Sequence, residues 1–461
     1  MLRIRRLALA ISALLALTLL GGAAAFADTV VPPSIPVGTA PNGVVVSPDG
    51  SRVYVANYGA NTVSVINANA VPPVVIATVT VGLGPIELAI SADGSRVYAS
   101  NRQATTVSVI DTTTTPPVQT SVITVGSSPY GIAISPDGNR LYVARYLGNA
   151  VVVVDISAAT PVVVTSVATG ANPIGVAFSP DGTRAYVTNQ SGASVTVIDA
   201  SASVPVVLGS PVPVGSGASG IAFSPDGTRA FVTNVSSNTL SVIDTTATPP
   251  AVTTTVAMAL RPWGIAILPD GTKGYVTHEN AAGTVSVLDL TGASPLVTQT
   301  LTVGGDPFAV AVSPNGLTAF VANFSSSSVS VIAVRKAPAI TSAGPPPAAR
   351  GAAYSFQVTA TGTPAPSFSI TAGSLPAGLV LNASTGLISG TATEVGSFTF
   401  TVTATNLEST DSEVYTLLVA AAASALPDTG ASPFAALAIA TLLIAAGLAA
   451  LMLRRRSTAA L

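Results

Sequence analysis

The feature that most limits the fold of this 461-residue chain is a four-residue sequence, Ser-Pro-Asp-Gly or a close variant, that occurs seven times. The copies are 44 or 45 residues apart, and they begin at Ser47, Ser91, Ser135, Ser179, Ser224, Leu268 and Ser313. Repetition at this period indicates one structural unit used seven times, with each unit packed on its neighbours.

Each copy combines tight-turn residues with short apolar segments. In the fourth copy, Gly175–Phe178 leads into the turn residues Pro180, Asp181 and Gly182, and Val195–Asp199 follows later. Proline presets φ in such a turn, glycine accepts a positive φ, and the TVSVID segments alternate apolar and hydroxyl side chains as strands do. Four strands per copy without helical stretches predict a seven-bladed β-propeller. A solenoid is the alternative, but this number of strands in each repeat favours closure into a ring.

The last copy lacks a fourth strand. Copies one to six each have one, such as 73–81, whereas copy seven reaches Pro338 without one. The segment Thr29–Gly38 ends in Pro-Val-Gly like other fourth strands, so we expect it to complete the seventh blade and cover its edge.

The repeat resembles a known family. Tyr186–Asn189 reads YVTN, and it stands among SPDG, Pro-x-Gly and TVSVID sequences that recur seven times. Over residues 29–335 this pattern resembles the YVTN family of surface-layer β-propeller repeats. The resemblance implies an extracellular seven-bladed propeller within residues 28–335, and it does not imply one shared activity.

A second β-rich module follows a predicted linker at 336–347. Its string LPAGLVLNASTGLISGTATEVGSFTFTVTATN resembles the Ig-like (cadherin-like) domains of bacterial surface proteins over about residues 338–420. A β-sandwich is therefore expected. Its acidic residues form no DxND or DxE cluster, so calcium is not predicted; they are Glu394, Glu408, Asp411 and Glu413.

The two ends of the chain have the sequences of targeting signals. Residues 1–27 combine a basic start, an apolar stretch and an Ala-Phe-Ala site, which predicts a signal peptide cleaved between Ala27 and Asp28. Near the other end, residues 434–453 are apolar and precede Arg454–Arg456, which predicts a transmembrane helix with a cytoplasmic basic tail.

The residues before that predicted span read LPDTG: Leu426, Pro427, Asp428, Thr429 and Gly430. This three-part arrangement resembles the cell-wall sorting signal of Gram-positive surface proteins. It implies that a sortase cleaves after Thr429 and joins this residue to peptidoglycan. The implied location is the Gram-positive cell surface, with membrane contact only through 434–453 before sorting. A plain membrane anchor is the alternative.

Composition excludes several kinds of site. The chain has no cysteine, which rules out disulfides, thiolate metal sites and a cysteine nucleophile. Six of its 18 Lys and Arg lie in the two predicted removable ends, which leaves 12 against 20 Asp and Glu, a net charge near −8. This acidic balance argues against binding nucleic acid.

Comparison of the seven copies identifies candidate ligand-binding residues. The loops entering each first strand and those joining the second and third strands should share one face around the central channel. Asn at the end of the second strand in five copies is expected to bond its own turn.

The residues that depart from the repeat in these two sets of loops and the strand ends beside them are Glu87, Arg102, Tyr130, Arg145, Tyr146, Arg261, Trp263, His278, Glu279, Asp306 and Phe308. Aromatic residues mixed with scarce charges predict a recognition surface for an extracellular protein, glycan or small ligand. The alternative is that the aromatic residues only cap the channel.

An enzyme is not favoured by the sequence. A single histidine and no cysteine exclude a three-His or two-His–carboxylate metal site, and no G-x-S-x-G sequence occurs. We therefore predict no catalytic residues, metal or cofactor, and a non-enzymatic protein for adhesion or surface display. The alternatives are an extracellular lactonase-like hydrolase or lyase, with His278 as its only plausible base, and a purely structural surface-layer protein.

Overall fold

The computed structural model describes residues 27–421 except positions 159 and 407. The predicted signal sequence up to residue 26, the LPDTG sequence and the predicted span at 434–453 lie outside this part. The described chain consists of β-strands and one 3₁₀ turn at Tyr146–Gly148. Within it, no helix has the length and apolar character needed to cross a membrane.

The repeat folds into seven antiparallel sheets, each built from an inner, a second, a third and an outer strand. The inner strands are Pro41–Val46, Pro85–Ile90, Pro129–Ile134, Pro173–Phe178, Ala218–Phe223, Pro262–Ile267 and Pro307–Val312. The second strands are Arg52–Asn57, Arg96–Asn101, Arg140–Arg145, Arg184–Asn189, Arg229–Asn234, Lys273–His278 and Thr318–Asn323. The third strands are Thr62–Asn67, Thr106–Asp111, Ala150–Asp155, Ser194–Asp199, Thr239–Asp244, Thr284–Asp289 and Ser328–Ala333.

The outer strands of the first six blades come from the Val- and Thr-rich segments of the repeat. They are Val74–Thr80, Val118–Thr124, Val162–Ala168, the pair Val206–Val207 and Val212–Pro213, Ala251–Ala257, and Leu296–Thr302. Inner strands contact one another in blade order, and the seventh contacts the first. The sheets therefore close into a propeller, as predicted.

The N-terminal strand completes the seventh blade, which confirms the predicted closure. Thr29–Pro36 pairs antiparallel with the third strand Ser328–Ala333, in a sheet that also holds the second and inner strands. The buried Asp28 carboxylate accepts hydrogen bonds from Lys273 Nζ at 3.1 Å and Tyr275 Oη at 2.8 Å. The start of this strand is thus fastened to the sixth blade.

The turn between the inner and second strands has the same geometry in every blade. In the first blade, the Ser47 hydroxyl donates to Asp49 Oδ1 at 2.6 Å, and Gly50 N donates to the Ser47 carbonyl at 2.8 Å. The last glycine of each turn has a positive φ, 73° at Gly50, which favours glycine there. Hydrogen bonds from two serines lower the pKa of Asp49 to about 2.

Alternating apolar side chains build a core between neighbouring blades. The aromatic residue of each second strand is fully buried, and two of them pack edge-on against an aromatic residue of the next inner strand. Tyr142 and Phe178 have ring centroids 4.7 Å apart, and Tyr186 and Phe223 are 5.0 Å apart. Successive side chains of a second strand enter the cores on opposite sides of their blade, Val53 and Val55 on one side and Tyr54 and Ala56 on the other, so both faces of the strand are buried.

The second module is also all β. One sheet contains Ala348–Ala349, Thr410–Ala420, Gly396–Thr405 and Ser367–Gly373, and the other contains Ala353–Gln357, Leu387–Thr391 and Leu379–Leu381. Phe400 and Tyr415 are in its core, with ring centroids 6.2 Å apart. The predicted linker at 336–347 is wrong in its first part, because Lys336–Ile340 is a strand paired with Ala360–Thr363.

The described chain divides into two compact units. The first unit contains the propeller and continues to Ala339, and it also includes Ala360–Pro366 and Thr405–Asp411. The second unit contains the two sheets of the Ig-like module.

Candidate functional site

One face of the propeller brings together two loops from every blade. In all seven blades, the first residue after the second strand donates its backbone N–H to the residue before the inner strand. These bonds are Tyr58 to Ala40, Arg102 to Gly84, Tyr146 to Ser128, Gln190 to Asn172, Val235 to Gly217, Glu279 to Arg261 and Phe324 to Asp306. We call this side the rim face; it is the face that the sequence comparison predicted. The opposite side, which holds the seven Ser-Pro-Asp-Gly-type turns, is the turn face.

The mouth of the central channel is surrounded by the second residue of each inner strand. These residues form the mouth ring: Asn42, Ile86, Tyr130, Ile174, Ser219, Trp263 and Phe308. Ile86, Tyr130 and Ile174 form a buried apolar cluster, against which Tyr58, Tyr146 and Trp263 pack. The apolar members of the mouth ring therefore form a floor across the rim-face end of the channel.

A cavity of about 410 Å³ lies above this floor, and we call it the rim cavity. Aromatic side chains make up much of its wall. Phe308 links two of them, with its ring centroid 5.0 Å from that of Trp263 and 5.1 Å from that of Phe324. Tyr58 continues the series at 6.4 Å from Phe324. The volume is in the range of sites for small molecules.

Two arginines line the rim cavity in different electrostatic settings. The Arg102 guanidinium lies over the Tyr130 and Tyr146 rings, 5.1 and 5.6 Å from their centroids. Arg261, by contrast, is ion-paired with Glu279, with 2.6 Å between Nη2 and Oε2. Arg102 thus has aromatic neighbours, whereas the charge of Arg261 is neutralised by a carboxylate.

The backbone at Arg261 has a sparsely populated conformation. Its φ is 57°, in the left-handed region that favours glycine or asparagine. All the other blades also have a positive φ at the equivalent position, which holds Ala40, Gly84, Ser128, Asn172, Gly217 and Asp306. A non-glycine residue in this region costs roughly 1 kcal/mol, and the sixth blade shares this strain with the four other blades that have a non-glycine residue there.

Most of the predicted site residues line the rim cavity: Arg102, Tyr130, Tyr146, Arg261, Trp263, Glu279 and Phe308. The other four lie elsewhere. The Asp306 carboxylate accepts a hydrogen bond from the Ser325 hydroxyl, outside the lining of this cavity. His278, Arg145 and Glu87 each occupy a different structural position.

His278 does not project onto the rim, contrary to the prediction. It is fully buried within the sixth blade, and its Nε2 is 2.7 Å from the hydroxyl of Ser286 on the third strand. Burial lowers the pKa of His278 to about 4, so the ring is neutral near pH 7. Its side chain occupies the place that an Asn side chain occupies in five of the other blades.

That equivalent Asn bonds across the blade rather than in its own turn, which corrects a second expectation. In the first blade, Asn57 Nδ2 donates to the hydroxyls of Thr62 at 3.0 Å and Ser64 at 2.9 Å, both on the third strand. Asn101, Asn189, Asn234 and Asn323 make the same pair of bonds. Their shared role is to join the second and third strands.

Arg145 is also outside the rim cavity. A Cβ on Gly126 would lie 2.8 Å from Arg145 Nη1, and one on Gly148 would lie 2.7 Å from Nε. The side chain thus lies between two glycines of its own blade. Arg145 is half-buried, whereas His278 is fully buried, and the structure places Arg145 outside the lining of the rim cavity.

Glu87 lies inside the channel. It occupies an inner-strand position that is glycine in five blades, and it lines a smaller cavity of about 150 Å³. Desolvation by burial raises the pKa of Glu87 to about 7. Glu87 is therefore a carboxyl group that changes its charge near neutral pH.

The glycines at this position allow neighbouring inner strands to approach closely. A Cβ on Gly220 would lie 2.5 Å from the Trp263 carbonyl oxygen, and one on Gly131 would overlap the carbonyl oxygen of Ile174. Hydroxyls join several of the same strands, since Thr233 Oγ1 accepts from Gly220 N at 2.9 Å and donates to the Trp263 carbonyl at 2.5 Å.

Several residues of the rim cavity were absent from the sequence prediction: Asn42, Tyr58, Ile86, Ile174, Gln190 and Phe324. All occupy two repeat positions that also hold predicted residues, namely the mouth ring and the first position after the second strand. Their repeat position, rather than an unusual residue type, was the signal that could have identified them.

Comparisons with known proteins agree with this architecture. A family model described as "Lactonase, 7-bladed beta-propeller" matches residues 24–116 and 111–205, and one described as "Putative Ig domain" matches 337–420. No curated protein matches the chain.

Two solved structures are similar in fold. Kuenenia stuttgartiensis hydrazine synthase has a TM-score of 0.57 and 24% identity, over 65% of this chain and 97% of that chain. A functionally unknown protein from Desulfotomaculum acetoxidans DSM 771 has a TM-score of 0.53 and 21% identity, over 59% of this chain and 89% of that chain. These identities support the fold alone. The chain therefore contains a lactonase-type seven-bladed β-propeller region followed by an Ig-like domain.

Proposed function

We propose that this is a non-enzymatic binding protein of the cell surface, in which the propeller holds a ligand in the rim cavity. The observation that carries the proposal is the aromatic wall formed by Trp263, Phe308, Phe324 and Tyr58. Large rings partly open to solvent in a concave site are typical of recognition surfaces. The ligand is an extracellular protein, glycan or small molecule.

The position of the aromatic residues in the repeat supports this proposal. The folding of the ring depends on features shared by many blades, such as the Asn bonds and the turns. The rim residues differ from blade to blade, although the backbone bond beneath them is the same in all seven. The fold therefore needs a backbone conformation at these positions but no particular side chain, which leaves the side chains available for binding.

The cellular location is the second part of the proposal. The LPDTG sequence supports sorting by a sortase and covalent attachment of Thr429 to peptidoglycan, with the Ig-like module as a spacer. In this account the propeller belongs to the YVTN type of surface-layer repeat. Changing Thr429→Ala should release the protein from purified cell wall on detergent extraction. Equal resistance of wild type and variant to extraction would contradict wall attachment.

The binding proposal is tested with the chain from Asp28 to Ala421 on glycan and protein arrays. The rim variant carries Phe308→Ala and Phe324→Ala, which remove two rings from the wall of the rim cavity. We expect each specific array signal to fall at least about tenfold in this variant, because each buried aromatic contact contributes a large share of binding energy. Specific signals that survive unchanged would place binding elsewhere, and an array without signals would favour a structural surface-layer role.

A hydrolase or lyase is the second candidate, because the lactonase model matches residues 24–205. Its acid–base residue would be Glu87, whose raised pKa of about 7 suits proton transfer, rather than the buried His278. Assays with a panel of lactones separate the candidates. We expect no turnover from the wild type. Turnover that is abolished in Glu87→Gln and preserved in His278→Asn would favour the enzyme.

A further inference from the structure

Arg102 is the cation of the rim cavity that lacks an acidic partner. Within residues 27–421, its guanidinium forms no ion pair and no side-chain hydrogen bond, although Arg261 in the same cavity has Glu279. Stacking on Tyr130 and Tyr146 restrains the guanidinium but leaves its N–H groups without acceptors. A planar guanidinium with free donors matches a carboxylate, which accepts two parallel hydrogen bonds.

Asn42 provides an independent indication of a ligand. Its side chain lines the rim cavity and is only 2% exposed, and its Oδ1 has no hydrogen-bond donor among the described residues. The Oδ1 atoms of the five second-strand Asn residues also lack a donor among the described residues, but Asn42 differs from them because it lines the rim cavity. Leaving a buried acceptor unpaired costs about 1–3 kcal/mol. A ligand N–H or O–H at this position would remove that cost.

The aromatic wall defines the third part of the ligand. Trp263 and Phe308 meet edge to face at 74°, and Phe308 and Phe324 are tilted at 54°. Rings in these orientations present both faces and edges to a flat apolar group, which packs on them with little loss of entropy. The cavity of about 410 Å³ admits one ring with a short polar chain.

We propose that the rim cavity binds a small organic acid with three parts. Its carboxylate pairs with Arg102, an N–H or O–H next to the carboxylate donates to Asn42 Oδ1, and a flat apolar ring packs on the wall around Trp263. The inference rests on the proposed binding function and specifies the ligand. The same chemistry occurs in a free ring-bearing amino or hydroxy acid and in the C-terminal residue of a peptide.

Trp263 makes the proposal directly measurable, because it is the only tryptophan of the chain and lines the cavity. The full chain in detergent is titrated with N-acetyl-L-phenylalanine while tryptophan emission is recorded. N-acetyl-L-phenylalaninamide, which lacks the carboxylate, and 3-phenylpropionate, which lacks the donor, are the matched probes. We expect saturable binding of N-acetyl-L-phenylalanine, with affinity at least about tenfold above that of either probe.

Variants assign each contact. Arg102→Gln should weaken binding of N-acetyl-L-phenylalanine at least about tenfold, whereas Arg96→Gln, at the turn-face end of the same second strand, should leave it unchanged. Asn42→Leu should weaken N-acetyl-L-phenylalanine but not 3-phenylpropionate. Thermal melts establish that each variant is folded. Free L-phenylalanine and short peptides ending in phenylalanine show which source of the acid binds more tightly.

Three results would overturn the inference: no saturable emission change with the acid, equal affinity for acid and amide, or unchanged binding by Arg102→Gln. These results are separable from failure of the binding function. If array ligands are lost in the rim variant but the acids do not bind, the binding function stands and the organic-acid assignment falls. If the rim variant retains its array ligands, the binding function itself falls.

Discussion

The two faces of the propeller differ in how much their side chains vary. On the turn face, successive blades repeat the same bonds, such as Ser135 to Asp137 at 2.5 Å and Ser179 to Asp181 at 2.5 Å. On the rim face, the backbone bond between the two loops is equally regular, but the side chains range from Val235 to Arg102. Side chains are thus constant where they hold the backbone in place and variable where the backbone alone provides the geometry.

Comparing the seven blades with one another separates structural from functional positions without sequences of related proteins, because each blade serves as a control for the others. Positions constant across blades should affect folding when changed, and variable rim positions should affect binding. Four predictions on stability test this division.

The largest effect is expected at the glycines of the inner strands. Gly131→Ala places a methyl group on the Ile174 carbonyl oxygen, so we expect a loss of about 3 kcal/mol in the free energy of unfolding. The matched control is Ala309→Gly, at the same repeat position in a blade that already has a Cβ, with a loss of about 1 kcal/mol. Urea denaturation measures both, and equal losses would show that close strand approach does not explain the glycines.

Glu87 occupies the same repeat position and should make stability depend on pH. Its pKa is raised from 4.5 to about 7, so the folded state holds a proton that the unfolded chain releases. Stability is therefore greatest below pH 4.5, falls as the pH rises to about 7, and then stays level. Glu87→Gln should stabilise the protein by about 2 kcal/mol at pH 8 and hardly at pH 4, as shown by denaturation at both pH values. Equal gains at both would mean that its charge is not the cause.

The hydroxyls between inner strands should contribute next. Thr233→Ala removes the bridge between Gly220 N and the Trp263 carbonyl, with an expected loss of about 1.5 kcal/mol. The first blade has Ala56 at this position, and Ala56→Thr should gain about 0.5 kcal/mol by adding the missing bridge. If calorimetry shows the two changes to have the same sign, the hydroxyl bridge is not what stabilises these strands.

The smallest effect is expected at His278. Because burial lowers its pKa from 6.5 to about 4, the unfolded chain takes up a proton in this interval and the folded chain does not. Stability therefore decreases as the pH falls from 6.5 to 4. His278→Asn restores the residue of the other blades and should be about 1 kcal/mol more stable at pH 5, with no change at pH 8. Thermal melts at the two pH values provide the measurement; a gain at pH 8 alone would contradict this explanation.

The sequence predicted the strands, the ring and its closure because alternating apolar and hydroxyl residues and the turn residues recur in every copy. It also predicted which loops share the rim face. It misplaced His278 because an unusual residue at a repeat position can keep that position's buried direction. It grouped Arg145 with the cavity residues, although this side chain lies against Gly126 and Gly148 of its own blade. It missed Asn42 and Phe324 because side-chain type was weighed more heavily than repeat position. Lys336–Ile340 was taken for a linker because its partner strand, Ala360–Thr363, is distant in sequence.

The most direct test of the division between the faces compares two double variants of the Asp28–Ala421 chain on the same arrays. The rim variant carries Phe308→Ala and Phe324→Ala. The turn-face variant carries Asp155→Asn and Asp199→Asn, which keep an acceptor for Ser157 and Ser201. We predict that specific binding falls at least about tenfold in the rim variant and stays within about twofold of wild type in the turn-face variant. Binding that is lost only in the turn-face variant would contradict the account.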